Sequence, residues 1–180
     1  MQALLVIDMQ GFVTDRIARG IDFYPDHCIE NMRSVIALFR AAGKPIFHVR
    51  HETPEPGSML HKNSPHFLPV VGFEAQADEK VFTKRTSSAF SSTDLYTWLE
   101  HKKIVDVAVI GAVAGYCVNS TIRMGSDLGL AMTIVRDAVL SFPLEGAGIS
   151  AAEVFNVTLG LLEGEFAQSV NVADLTFNPR

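Results

Sequence analysis

In this 180-residue chain, Cys117 follows an apolar run, residues 105–112, and a turn bracketed by Gly111 and Gly115. A helical pattern carrying Val118 and Ile122 begins directly after it. A thiol at the first turn of a helix is well placed to act as a nucleophile. The helix N-terminus favours negative charge, so a lowered thiol pKa is expected, and its unpaired backbone N–H groups can hold a developing oxyanion. The competing reading is a small apolar filler, since free cysteines are among the most buried residues. Two further groups complete a possible chemistry. Asp8 ends the apolar run Ala3–Ile7, and Lys84 follows the short run Val81–Thr83. An aspartate near the thiol could take its proton, and a lysine could stabilise the thiolate and hold the carboxylate ionised. The thiolate would attack a carbonyl carbon, the protonated Asp8 would pass its proton to the leaving amine, and water would cleave the thioester. This scheme calls for no metal and no organic cofactor. Taken singly, an aspartate at a strand end often serves only as a cap or ion-pair partner, and a lysine there is commonly solvated.

The elements that must position these groups alternate. Ala3–Ile7 reads as a central parallel strand, and residues 9–24 as a loop. Ile29, Met32, Val35, Ile36 and Phe39 mark an amphipathic helix to Ala42 with Gly43 beyond its end, and Cys28 falls beside that stripe as core filler. Strands are expected at Ile46–Arg50, Val81–Thr83, 105–112, Ala131–Val135 and Phe166–Val170. Helices are expected around Leu95–Leu99, after Cys117, and after Ser150, where Glu153 completes a capping box and Val154, Val157, Leu161 and Leu162 form the apolar face. The proline-rich segment 51–79 has no periodicity, and a loop of this length in a compact domain is usually functional or mobile. Alternating strands and helices predict a single-domain α/β fold over residues 1–180, a doubly wound parallel sheet of about six strands with helices on both faces. Ligands in such sheets bind beyond the carboxyl ends of the strands. Asp8, Lys84 and Cys117 all fall at such ends by independent readings.

Composition bounds the partners. The net charge of −5 lacks the basic stripe that nucleic acid requires. No apolar run approaches the ~20 residues that span a bilayer, and the N-terminal residues lack the basic start of a signal peptide. Two cysteines make no disulfide framework, so reduced thiols and a cytoplasmic location are expected. Neither nucleic acid nor a membrane is an expected partner. Phe12, Phe90 and Tyr116, next to the three reactive residues in sequence, are the candidate walls of a substrate pocket, with core packing the alternative for Phe12 and Phe90.

The segments Leu4–Val13, Lys44–Glu52, Val81–Phe90, Val107–Arg123 and Leu130–Ala138 together resemble the isochorismatase-like, or cysteine hydrolase, superfamily. The resemblance covers nearly the whole chain. It implies a strand order 3-2-1-4-5-6 and a catalytic triad of Asp8, Lys84 and Cys117. It also implies an oxyanion hole from the amides of Val113 and Cys117, with a cis peptide at Ala112–Val113, and a homo-oligomer, dimer or tetramer. Two departures bear on substrate. Nicotinamidase-like members carry an Asp-x-His pair after the second strand, with further histidines, as a metal site. Here the segment reads Val49-Arg50-His51-Glu52, and His51, Glu52, His61 and His66 do not match that spacing. No metal is therefore expected, and nicotinamidase activity is disfavoured. The polar pair that often precedes the cysteine is replaced by Ala114 and Gly115. The expected activity is cysteine-dependent cleavage of a C–N bond in a small amide, carbamoyl or ureido compound. The alternatives are vinyl-ether hydrolysis of the isochorismatase type, whose members lack the cysteine, or an idle binding scaffold.

Overall fold

The computed structural model describes residues 2–177. Six strands form one all-parallel sheet: β1 (Gln2–Ile7), β2 (Ile46–His51), β3 (Lys80–Lys84), β4 (Asp106–Ala112), β5 (Ala131–Leu140) and β6 (Gln168–Val170). Their order is β3-β2-β1-β4-β5-β6, as the resemblance implies. The α-helices are α1 (Gly11–Ala18), α2 (Cys28–Ala41), α3 (Leu95–His101), α4 (Asn119–Asp127) and α5 (Ala151–Glu165).

The pleat divides each central strand between two cores. Ala3, Leu5 and Ile7 of β1 and Val107 and Val109 of β4 pack with α3, α4 and α5 through Leu95, Leu99, Ile122, Phe155 and Leu159. Leu4 and Val6 of β1 and Ala108 and Ile110 of β4 face α2 through Met32, Val35, Ile36 and Phe39. Because both faces are covered, the strands read as unbroken apolar runs. Cys28 is fully buried in the second core, a filler as expected, and burial pushes its thiol up to about 12.

Three expectations need correction. Residues 9–24 are not all loop, because α1 occupies Gly11–Ala18. Its only buried residue is Val13 and its N-cap Gln10 makes no side-chain cap bond, so neither a stripe nor a cap signals it. Helix α1 is instead held by the 51–79 segment, through Gly11 N–H donating to Leu68 C=O (2.9 Å) and Val70 N–H to Met9 C=O (3.0 Å). Second, β5 runs to Leu140 rather than ending at Arg136-Asp137. A register shift against β4 between Val109 and Gly111 accommodates the two charged residues, and Asp137 receives Val172 N–H at 2.9 Å. Third, on α5 the buried residues are Ala151, Val154, Phe155, Leu159 and Leu162, whereas Val157 and Leu161 are 64% and 59% exposed. The capping box at Ser150 and Glu153 is formed as read.

The segment 51–79 carries one short 3-10 turn, Pro65–Phe67, and lays Val70 and Phe73 into the core. Just before β3, Glu79 takes Arg40 of α2 in a two-point ion pair (2.7 and 2.9 Å) and sits 2.8 Å from His48 Nε2 of β2. This polar cluster fixes the approach to Lys84. No described helix is long and apolar enough to cross a membrane.

Candidate active site

The carboxyl ends of β1, β2, β3 and β4 converge on one ammonium group. Lys84, the last residue of β3, is fully buried and lies 2.8 Å from Asp8 Oδ2. It donates to Cys117 Sγ at 3.1 Å and to His51 Nδ1 at 2.8 Å. An ammonium has three N–H donors, and here each has an acceptor. Lys84 spans from β3 past β2 to β1, a lateral gap of roughly 10 Å between backbones, because its long stem runs along the strand ends.

Backbone geometry aims the other two groups. Asp8 sits in the left-handed region (φ 50°), just past β1, with its N–H bound to Val49 C=O at 2.9 Å. A non-glycine residue tolerates that conformation at some cost, aspartate better than most. Gly111 has φ 122°, and a Cβ there would lie 2.1 Å from Ile7 C=O. Only glycine lets the end of β4 press against β1, which brings the turn after β4 beside Asp8. The Ala112–Val113 peptide is cis. Residues Ala114–Val118 then form a wide helical turn in which Val118 N–H reaches Val113 C=O five residues back (3.4 Å), and α4 follows. Cys117 thus lies within the wide turn that leads directly into α4, and burial with the nearby Asp8 carboxylate pushes its thiol up to about 12 against the pull of Lys84. The lowered thiol pKa expected from a helix N-terminus is overturned by desolvation, which disfavours the anion. Burial likewise raises the Asp8 pKa, with Lys84 opposing. Asp8 Oδ1 is buried and has no partner in hydrogen-bonding geometry, although the Cys117 thiol is near enough to perturb the carboxylate. This arrangement leaves a protonated thiol beside an acceptor oxygen with free capacity.

Residues beyond the three strand-end groups matter here. Burial and the Lys84 charge hold the His51 pKa below its usual value, so the ring is neutral and its Nδ1 can accept from Lys84. The buried Gln10 fixes His51, accepting its N–H at 2.7 Å and donating to His51 C=O (3.1 Å) and Phe67 C=O (2.9 Å). Nothing in the residue pattern marks Gln10, and only the register of β1 against β2 reveals its part. The sequence offers His51 only as a metal ligand of the wrong spacing, and its place as a partner of Lys84 appears in the structure.

A cavity of about 350 Å³ opens on Cys117, Asp8, His51 and Val113. Phe12, Arg16, Leu60, Tyr116, Phe142 and Pro143 supply its walls. Of the three expected pocket residues, Phe12 and Tyr116 are among them. Phe90 is not: it is 6% exposed and stacks edge-on against Tyr96 at 6.5 Å inside the core. Sequence proximity to Lys84 misleads there because the polar loop after β3 folds the ring back toward α4. A larger depression of about 610 Å³, lined by Lys44, Trp98 and Lys102, lies at the amino ends of the strands and touches none of these groups.

The described residues do not fit a metal centre. Glu52 pairs with Arg85 (3.1 Å), His61 Nδ1 accepts from Asn63 N–H (3.2 Å), and His66 faces Asp15 at 4.0 Å. Among the described residues, one group of three possible ligands comes together, Asp8, His51 and Cys117, within 4.8 Å of one another. The Lys84 ammonium already bonds to all three, so it takes the place a cation would need.

Against known families, residues 2–162 match the isochorismatase domain. The chain belongs to the isochorismatase family. The isochorismatase family protein YrdC of Bacillus subtilis is 26% identical over 92% of this chain and 89% of its own length. Nicotinamidase 3 of Arabidopsis thaliana is 26% identical over 88% and 81%. A solved structure of an isochorismatase-family protein from Chromobacterium violaceum superimposes with a TM-score of 0.89 at 29% identity, over 96% of this chain and 90% of that one. Within the isochorismatase family fold, Ala114 and Gly115 make the turn before Cys117 small and apolar. Ala114 is buried, and a Cβ on Gly115 would lie only 3.2 Å from the Val154 side chain of α5, a tight contact that favours glycine there.

Proposed function

We propose that this protein is a cysteine-dependent hydrolase that cleaves the C–N bond of a small amide, carbamoyl or ureido compound. The observation that carries the reading is the buried Lys84 ammonium, held at 2.8 Å from Asp8 and 3.1 Å from Cys117, two groups that line the cavity. Family membership and an amide-hydrolysing relative, the nicotinamidase, support it.

The chemistry follows from the charges. At rest Asp8 and Lys84 form an ion pair and Cys117 is a thiol. When a carbonyl carbon approaches Sγ, the thiol proton passes to Asp8 and the thiolate forms 3.1 Å from the ammonium that stabilises it. The S–C bond forms, and the carbonyl oxygen takes the negative charge, received by the Val113 and Cys117 amides. Asp8 returns the proton to the amine nitrogen, the C–N bond breaks, and the amine leaves. Water then loses a proton to Asp8 and attacks the thioester, releasing the acid and restoring the thiol. The raised thiol pKa suits this order of events, because the thiolate is made only when Asp8 takes the proton.

The test measures ammonia released from a panel of small amides, ureas and carbamoyl compounds by wild type and Cys117→Ala. The substitution should lower turnover by at least about a thousandfold. Hydrolysis that survives in the variant would overturn the reading and favour the vinyl-ether chemistry. Two unpaired thiols, Cys28 and Cys117, also favour a reducing compartment, the basis for assigning the protein to the cytoplasm. Self-association as a dimer or tetramer is part of the same proposal, with the exposed pair Val157 and Leu161 as the candidate contact.

A further inference from the structure

Arg16 stands in the wall of the cavity that opens on Cys117. Its Nε is sealed from solvent and has no hydrogen-bond partner. Its guanidinium lies over the Phe142 ring at 4.5 Å, a contact that orients the plane but satisfies no N–H. The acid next to it in sequence is unavailable, because Asp15 is ion-paired with Arg19 at 2.8 Å. The other charges lining the cavity are also accounted for: Asp8 is neutralised by Lys84, and His51 is neutral. The cavity wall therefore carries one uncompensated positive charge, on a group whose planar fork matches a carboxylate through two parallel N–H···O bonds. Among the described residues no carboxylate pairs with Arg16, so an anionic group on a substrate entering the cavity would supply the missing partner for its guanidinium.

We propose that Arg16 is a specificity residue, and that the substrate carries a carboxylate on the side of the molecule away from its scissile amide. The proposal rests on the amide-hydrolase reading and narrows its substrate class to amides and ureas of small acids. Phe12, Leu60 and Pro143 enclose the apolar spacer between the two ends, and the cavity's about 350 Å³ limits that spacer to a few carbons.

The experiment uses pairs matched in shape and differing in charge: succinamate against isocaproamide, and N-carbamoylglycinate against isobutylurea. Ammonia release gives kcat and KM for wild type, Arg16→Gln and Arg16→Lys. In wild type the carboxylate member of each pair should be favoured in kcat/KM by about tenfold to a hundredfold, the scale of one charge-assisted hydrogen-bonded pair. In Arg16→Gln that ratio should fall toward one, mainly through KM. In Arg16→Lys, which keeps the charge but loses the fork, it should lie between. A second readout needs no turnover: calorimetric binding of succinamate and isocaproamide to Cys117→Ala and to Cys117→Ala/Arg16→Gln. The carboxylate should bind more tightly to the first protein, and the preference should vanish in the second. A wild-type preference for the neutral partners, or a ratio that Arg16→Gln leaves unchanged, overturns the assignment. Should Arg16→Gln not fold, the wild-type ratio and Arg16→Lys still decide. Turnover that depends on Cys117 without a carboxylate preference would sink this inference alone. Arg16-dependent carboxylate binding without any Cys117-dependent hydrolysis would sink the amide-hydrolase reading alone.

Discussion

Lys84 and Asp8 are a buried ion pair whose members need each other. Lys84 is fully buried and the Asp8 side chain is 3% exposed, so removing one partner strands a charge in a low-dielectric interior. Lys84→Met should cost about 3–5 kcal/mol, and adding Asp8→Asn should recover much of that loss. Urea denaturation of the two proteins measures it, and a double variant no more stable than the single would contradict the pairing. Neither variant should hydrolyse a substrate, since stability can be restored without a base or a cation. Asp8, Lys84 and Cys117 were legible in the sequence because each ends or closely follows an apolar run, and a parallel sheet gathers strand ends on one edge. Gln10, His51 as a lysine partner, and Arg16 were not. Their parts depend on strand register, on a segment returning from residue 67, and on which way a side chain leans, none of which leaves a periodicity. The thiol pKa departs from the sequence expectation for a related reason: a helix terminus is visible in a sequence, whereas the depth of burial that outweighs it is not.

Among the elements, the clearest case is the polar joint that seats β3. Burial works against the Glu79 carboxylate, but Arg40, the Gln76 N–H and His48 outweigh it and hold its pKa down to about 2. A carboxylate depressed in the folded state stabilises fully above its unfolded pKa of ~4.3, and that contribution is lost as pH falls through the folded value. His48, lowered by burial, acts in the same sense, because protonation in the unfolded chain below ~6.5 favours unfolding. Glu79→Gln should therefore destabilise the protein by about 1.5–3 kcal/mol at neutral pH. It should also flatten the loss of stability between pH ~4.3 and about 2. Urea midpoints at a series of pH values check both, and a parallel loss of stability in variant and wild type at low pH would refute the assignment. Helix α1 escaped the sequence reading because its stability comes from neighbours rather than from its own stripe. The α5 stripe was read half a face out because Val157 and Leu161 are as apolar as the residues that do point inward.

For the molecule as a whole, that outward face is the feature the isolated chain does not explain. Val157 and Leu161 sit one turn apart on α5, both more than half exposed. If copies of the chain associate through them, Leu161→Glu should reduce the mass seen in sedimentation equilibrium, while monomer stability shifts by no more than about 0.5 kcal/mol. An unchanged mass would remove this face from consideration. The sheet itself was the most legible part of the structure, since its order follows the family resemblance and its strands are too apolar to lie anywhere but between two layers.

The convergence of Asp8, His51, Lys84 and Cys117 has a mechanical consequence. These residues come from the ends of β1, β2 and β3 and from the turn after β4, four neighbours in one sheet. A slip between any two of these strands pulls an acceptor away from the same ammonium. The proposed reactive centre therefore shares the rigidity of the sheet, whose strand ends carry three of its four groups.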